Sequence, residues 1–187
     1  MTDIGDRKAV ARNRGFELRA EAHARGGDAA ANELLVGHLV SFQPSIVSAY
    51  MPMRTEISPL PAMAELHARQ VRVCVPIIEG KGVPLSFREW TPATELMDGP
   101  FGAQVPATGE TLEPDVVVTP MVAFDRRGYR LGYGGGFYDR TFERLHAMEK
   151  GTGVGFAYAA QEFDEIPTEP TDVILHSLVT ERTIIHF

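Results

Sequence analysis

DVVVTPMVAFDRRGYRLGYGGGFYDR, residues 115–140, decides how the rest of the chain is read. Its opening run, Val116, Val117 and Val118, is β-branched with no polar break, the pattern of a strand buried on both faces of a sheet. Asp125 and Gly128 hold the first and fourth places of a type I turn, so the chain is expected to reverse there. Gly134, Gly135 and Gly136 then lead into FYDRTFERLHAME, 137–149, a helical pattern. A buried strand, a linking segment, a glycine loop and a helix start form the unit from which parallel sheets are built. Such sheets bind ligands in the loops that leave the carboxyl ends of their strands.

The flanking sequence repeats the theme. SIVSAY (45–50), VRVCVP (71–76) and GVGFAY (153–158) are further apolar runs that predict strands. PLPAMAELHARQ (59–70) predicts a helix between two of them. An Ala-, Arg- and Glu-rich helix is expected over 6–24, ended by Gly26 and Gly27. Asp28 then serves as the cap of a second helix through 41, with Leu34, Leu35, His38, Leu39 and Phe42 as its apolar stripe. The Gly- and Pro-rich stretch 79–114 reads as loops with one short strand near PLSFREW. No repeat and no linker divides the chain. The expectation is one α/β domain over 1–187, with a mainly parallel sheet flanked by helices.

Composition narrows the function. With 187 residues, 44% of them hydrophobic and 23% charged, the chain is ordinary globular material. No apolar run approaches the roughly 20 residues that span a bilayer. The charged start, MTDIGDRKAVARNR, lacks the apolar core of a secretory signal, so a cytoplasmic location is expected. The single cysteine, Cys74, lies in a strand-like run and reads as a core thiol, with nothing nearby to stabilise a thiolate. The histidines lack H-E-x-x-H spacing, and G-x-S-x-G and Walker A sequences are absent. A net charge of −7 argues against bulk nucleic-acid binding. It leaves room for an anionic small molecule, because cations gather locally. Arg7, Lys8, Arg12, Arg14, Arg19 and Arg25 crowd the start, and Arg126, Arg127, Arg130 and Arg140 crowd the glycine loop.

The loop's chemistry suits phosphate. Glycines clear side chains from a ligand's path, and a helix start offers unpaired N–H groups with partial positive charge. Arg130 adds a planar fork of donors. A carboxylate such as Asp139 can hold a Mg2+ that bridges phosphates. Lys8 and Arg12, four apart, share one helix face. Plainer readings stand beside each of these. Three glycines also make a flexible turn, Asp139 also suits a helix dipole, and Lys8 and Arg12 also make a solvated basic face. Tyr133, Phe137 and Tyr138 fit a core as well as a ligand.

AFDRRGYRLGYGGGFYDR closely resembles the signature of the 5-formyltetrahydrofolate cyclo-ligase family, also called 5,10-methenyltetrahydrofolate synthetases. The resemblance extends through KAVAR, Tyr50 with Glu56, PLSFREW, LEPDVVVTPMVAFD and IPTEPTDVILHSLVTE. It implies one α/β domain of CoA-transferase-like topology. It also implies ATP-dependent ring closure of 5-formyltetrahydrofolate, with ADP and phosphate released and Mg2+ required.

Carried over by position, Lys8 and Arg12 become ATP contacts. Arg130, Leu131, Gly132, Tyr133, Gly134, Gly135, Gly136, Phe137 and Tyr138 become the nucleotide loop. Arg130, Tyr138 and Asp139 take catalytic roles, with Asp139 and Asp172 as metal ligands. Met51, Glu56, Tyr133 and Phe137 match folate contacts. Trp90 or Phe101 offers a stacking surface, although packing is the plainer role of each.

Val105, Thr171 and His176 depart from the family's usual Glu, His and Asp, which favours a non-catalytic binding relative as the alternative. A CoA-transferase or sugar-phosphate isomerase ranks third, since no positioned carboxylate beyond Glu56 supports it. The expected partners are ATP and 5-formyltetrahydrofolate, with or without a polyglutamate tail. Neither nucleic acid nor membrane is expected, and the chain is expected to be a monomer.

Overall fold

Residues 3–187 are described by a computed structural model; Met1 and Thr2 of the expected 1–187 domain lie outside the described residues. In chain order the elements are α1 (Ile4–Arg25), α2 (Asp28–Ser41), β1 (Ile46–Ser48), α3 (Leu60–Ala68), β2 (Arg72–Ile77) and β3 (Ser86–Trp90). A hairpin follows, β4 (Leu96–Asp98) and β5 (Gln104–Pro106), then β6 (Val116–Thr119), β7 (Ala123–Asp125) and β8 (Arg130–Leu131). The chain continues with α4 (Phe137–His146), β9 (Thr152–Phe156), β10 (Glu162–Phe163), β11 (Ser177–Val179) and β12 (Ile184–His186).

The main sheet has the order β12-β11-β9-β6-β1-β2-β3. Its five inner strands run parallel, and β3 and β12 are antiparallel edges. Alternate side chains of the inner strands enter two separate cores. Val73, Val75, Val116, Val118, Val154 and Phe156 meet Leu35 and Leu39 of α2 and Met63 and Leu66 of α3. Cys74, Val117 and Leu178 point the other way, into a core with Phe142 and Leu145 of α4. Both faces are therefore covered, which is why these strands read as continuous apolar runs. Cys74 is fully buried, and burial pushes its thiol up, so it is a core residue.

The topology places a crevice. From β1 the chain passes through α3 to β2 on one side, while β6 lies against β1 on the other. The connections cover opposite faces, so the carboxyl ends of β1 and β6 diverge, and ligands bind at such a switch point.

Two local findings bear on the site. The turn at Asp125 closes as expected, with the Gly128 N–H donating to the Asp125 carbonyl at 3.1 Å. It joins β7 and β8 into an antiparallel pair, where a plain linking segment had been expected. Second, Asp28 is not a cap. Gly27, with φ +115, takes the cap position in the left-handed region. The Asp28 carboxylate instead accepts from the Tyr158 hydroxyl at 2.8 Å and lies 3.4 Å from the Ser58 N–H. These tertiary partners outcompete a local cap.

β7 and β8 form a second sheet with β10, in the order β10-β7-β8, and α1 packs against β7 with a stripe of buried positions at Lys8, Ala11, Gly15, Arg19 and Ala22. A Cβ on Gly15 would stand 2.7 Å from both Val122 Cγ1 and the Val122 carbonyl oxygen. Glycine is what lets the helix backbone touch the segment before β7.

Candidate active site

A cavity of about 1250 Å3 opens at the carboxyl ends of β1, β2 and β6. Tyr50, Met51 and Glu56 come to it from the segment after β1, Ile78 from the end of β2, and Pro120 from the end of β6. α1 contributes Lys8 and Arg12, and the glycine loop contributes every residue from Arg130 to Asp139. Asp172 closes one side. The structure thus brings all the site residues expected from the sequence to one cavity. Phe101 joins them at the rim, 79% exposed. Trp90 does not; it is packed in the core beneath α2 and α3.

The glycines of the loop answer to geometry. Gly134 and Gly136 have φ of +99 and +63, a region that penalises any side chain. A Cβ on Gly135 would lie 2.6 Å from the Phe137 ring. Gly136 caps α4, and no side chain bonds to the helix's amino end. Its first N–H groups are left for a ligand, the ordinary arrangement for binding phosphate.

The charged side chains around the loop hold one another. Arg130, 5% exposed at its side chain, donates to Asp139 Oδ1 at 2.7 Å and to the Val173 carbonyl at 2.9 Å. The same Oδ1 accepts the Val173 N–H at 3.1 Å. Lys8 Nζ donates to Glu169 at 2.7 Å and to Asp172 Oδ2 at 2.8 Å. Burial penalises the Lys8 ammonium, but Asp172 and Glu169 outweigh it and lift its pKa. Arg12 donates to the Gly132 carbonyl at 2.9 Å and lies against Gly134.

Two carboxylates of the cavity can be tested for their fit to magnesium. No group of three or more His, Cys, Asp or Glu is arranged for a metal among the described residues. Asp139 and Asp172 each accept on one carboxylate oxygen only, among the described residues, and keep the other open. Nucleotide-bound Mg2+ needs only one or two carboxylates beside phosphates and water, so the two fit that ion.

The residues expected to meet folate surround a buried ion pair. Glu56, 3% exposed, accepts the Met53 N–H on Oε2 at 2.8 Å. Its Oε1 lies 3.6 Å from Arg19 Nη1, and neither atom has a hydrogen-bond partner among the described residues. Arg19 also donates to Thr55 Oγ1 at 3.1 Å and to the Tyr133 hydroxyl at 2.9 Å. Burial raises the Glu56 pKa, and the Met53 N–H, Arg19, Tyr133 and Arg54 counter it. Burial likewise pushes the Tyr50 and Tyr138 hydroxyls well up, keeping both protonated.

Arg19 was not singled out from the basic start of the sequence. Its signal was spacing: positions 8, 12, 15 and 19 fall on one face at helical period. Of the three departures, Thr171 borders the cavity, Val105 is paired with Met97 in the β4–β5 hairpin, and His176 lies against Phe42. Of the three, only Thr171 therefore borders this cavity.

Comparison with known proteins agrees with this geometry. The model of the 5-formyltetrahydrofolate cyclo-ligase family matches residues 6–181. A relative named 5-formyltetrahydrofolate cyclo-ligase from Mycolicibacterium smegmatis is 35% identical over 149 residues, covering 74% of this chain and 75% of the relative. One of the same name from Escherichia coli K12 is 31% identical over 144 residues, covering 74% and 79%. The solved structure of Aquifex aeolicus 5,10-methenyltetrahydrofolate synthetase superposes with a TM-score of 0.79 at 30% identity, over 96% of this chain and 92% of that one. A Mycoplasma pneumoniae 5,10-methenyltetrahydrofolate synthetase, at 22% identity and TM-score 0.69, shares the fold. With the match running from α1 to the end of β11 and the motif gathered on one cavity, this chain belongs to the 5-formyltetrahydrofolate cyclo-ligase family.

Proposed function

We propose that the chain closes 5-formyltetrahydrofolate to 5,10-methenyltetrahydrofolate at the expense of ATP, releasing ADP and phosphate. One observation carries the reading: a single cavity is bordered both by the glycine loop with its cations and by the buried Glu56 group. At about 1250 Å3 it exceeds the roughly 300–1,000 Å3 of a site for one drug-sized ligand. It has room for a nucleotide and a folate side by side.

The chemistry matches such a site. A formamide carbon is a poor electrophile, and its oxygen leaves poorly. Attack of the formyl oxygen on the γ-phosphorus expels ADP and leaves an activated N5–C–O–phosphate unit. The N10 lone pair then bonds to the same carbon. The C–O bond breaks with phosphate departing, N10 loses its proton, and the N5–C–N10 amidinium remains. No protein nucleophile is required, in keeping with a cavity whose margin includes no cysteine or serine among the described residues. Catalysis then rests on position and on stabilising the transferring phosphoryl.

Each residue has a part in this. The loop N–H groups and the amino end of α4 hold phosphate oxygens, and Arg12 and Lys8 supply positive charge beside them. Lys8 exchanges Glu169 and Asp172 for phosphate when nucleotide enters. Arg130 aims Asp139, which with Asp172 would hold Mg2+ and so supply positive charge to offset that of the phosphates. Glu56 accepts N–H donors of the pterin, and Met51 and Phe137 give the ring apolar walls. Tyr138, kept protonated by burial, offers a neutral hydroxyl donor to the reacting centre.

The test is absorbance of the methenyl chromophore with 5-formyltetrahydrofolate, ATP and Mg2+. Growth of the band only when all three are present supports the reading. A flat trace with folate bound and no folate-dependent ATP hydrolysis overturns it in favour of a binding protein.

A further inference from the structure

We propose that Arg19 is a positioning residue of the folate subsite: it holds Glu56 as a carboxylate and fixes the Tyr133 hydroxyl, so that the pterin meets a charged acceptor. The inference rests on the proposed function. It concerns a residue that does not border the cavity and acts through two that do.

Arg19 is 1% exposed, and a buried guanidinium is costly unless it is paired and fully hydrogen-bonded. Here it is paired incompletely. Nε reaches Thr55 and one terminal nitrogen reaches Tyr133, while Nη1 faces Glu56 Oε1 across 3.6 Å, neither atom having a hydrogen-bond partner among the described residues. A pair kept for stability alone would close that gap. Buried polar atoms left open in a native site call for a reason.

The reason lies in what Glu56 must present. As a carboxylate it offers only acceptors; once protonated, one oxygen becomes a donor and repels an N–H. Five titratable groups face it: Arg19 from α1, Tyr133 from the glycine loop, Tyr50 after β1, Tyr138 on α4, and Arg54 on its own loop. The tyrosines are neutral, and Arg54 is exposed. Arg19 is the buried cation among them. It also lies 5.6 Å from the centre of the Tyr133 ring, so the same side chain ties the glycine loop to the folate residues.

The experiment is calorimetric binding of 5-formyltetrahydrofolate to the purified full chain without ATP, from about pH 6 to pH 8, where the unperturbed folate carboxylates stay ionised. The wild type is expected to bind with a flat profile. Arg19→Met, and Arg19→Gln as a charge-free variant that keeps donors, are expected to bind more weakly. Their affinity is expected to climb with pH, approaching about tenfold per unit as Glu56 ionises. Arg19→Lys should restore the flat profile, and adding Glu56→Gln to either charge-free variant should flatten it at low affinity. A flat profile in Arg19→Gln, or a slope that survives Glu56→Gln, overturns the role of Arg19 while leaving the folate reading intact. A wild type that binds no 5-formyltetrahydrofolate overturns both.

Discussion

Replacing Gly15 by alanine tests whether α1 must touch the second sheet to place its cations. An alanine in a helix interior ordinarily gains about 1 kcal/mol over glycine. At Gly15 the new methyl would lie 2.7 Å from Val122 Cγ1 and from the Val122 carbonyl oxygen, where ordinary contact begins at 3.4 Å. The Val122 methyl can rotate, but its carbonyl is held in place by the buried Gln161 amide, which donates to it at 3.1 Å. Overpacking of this kind costs about 1–3 kcal/mol. The net expectation is a loss of about 1 kcal/mol, or roughly 2–4 °C of Tm for a domain of this size. Gly37 supplies the control. It lies inside α2 with nothing within 4 Å of its Cβ position, so Gly37→Ala should raise Tm by a similar amount. Function separates the two further: Lys8 and Arg12 ride on the stripe that Gly15 seats, so Gly15→Ala should raise KM for ATP and Gly37→Ala should not. Thermal unfolding and steady-state kinetics on both variants decide the matter. A rise in Tm for Gly15→Ala with unchanged KM would refute the close-contact argument.

Other perturbations follow from the same contacts. Arg130→Lys keeps the charge but loses the fork joining Asp139 to Val173, and turnover should fall on the order of 10–100-fold, the usual cost of losing a partner behind a metal-ligating carboxylate. Unchanged kcat would detach Arg130 from Asp139. Arg130→Ala should also cost about 3–5 kcal/mol of stability, because the pair is largely buried, so an unchanged Tm would count against the geometry. Asp139→Asn should raise the Mg2+ needed for half-maximal rate on the order of tenfold, and an unshifted Mg2+ titration would reject it as a ligand. His38 is held below the ordinary histidine pKa by burial and by the nearby His186 and His176. The unfolded chain therefore takes up that proton at a higher pH than the folded one, and stability should fall below about pH 6.5. His38→Gln should flatten that part of the urea-unfolding profile; an unchanged slope would assign it elsewhere.

The sequence made much of the parallel sheet legible because both faces of its inner strands are covered, and Val116–Val118 and Val73–Val75 say so without a polar break. It was silent on β4, β5, β8, β10, β11 and β12, each only two or three residues long and too short to show a period of its own. The linking segment hid β7 because a three-residue strand carries too little period to recognise. The site residues were legible as a set, since one long motif supplies ten of them in a row. Their pairings were not. Nothing local in the sequence says that Lys8 is held by Glu169 and Asp172, or that Arg19 stands behind Glu56. Those are facts of tertiary packing between segments far apart in the chain.

The clasp between Lys8 and Asp172 spans 164 positions. Its consequence is temporal. During synthesis at roughly 5–20 residues per second, α1 can form early, yet the wall it faces emerges about 8–30 seconds later. Until then Lys8 lacks the two carboxylates that hold it. The cavity cannot close earlier, because walls that face each other across it lie 164 positions apart in the chain.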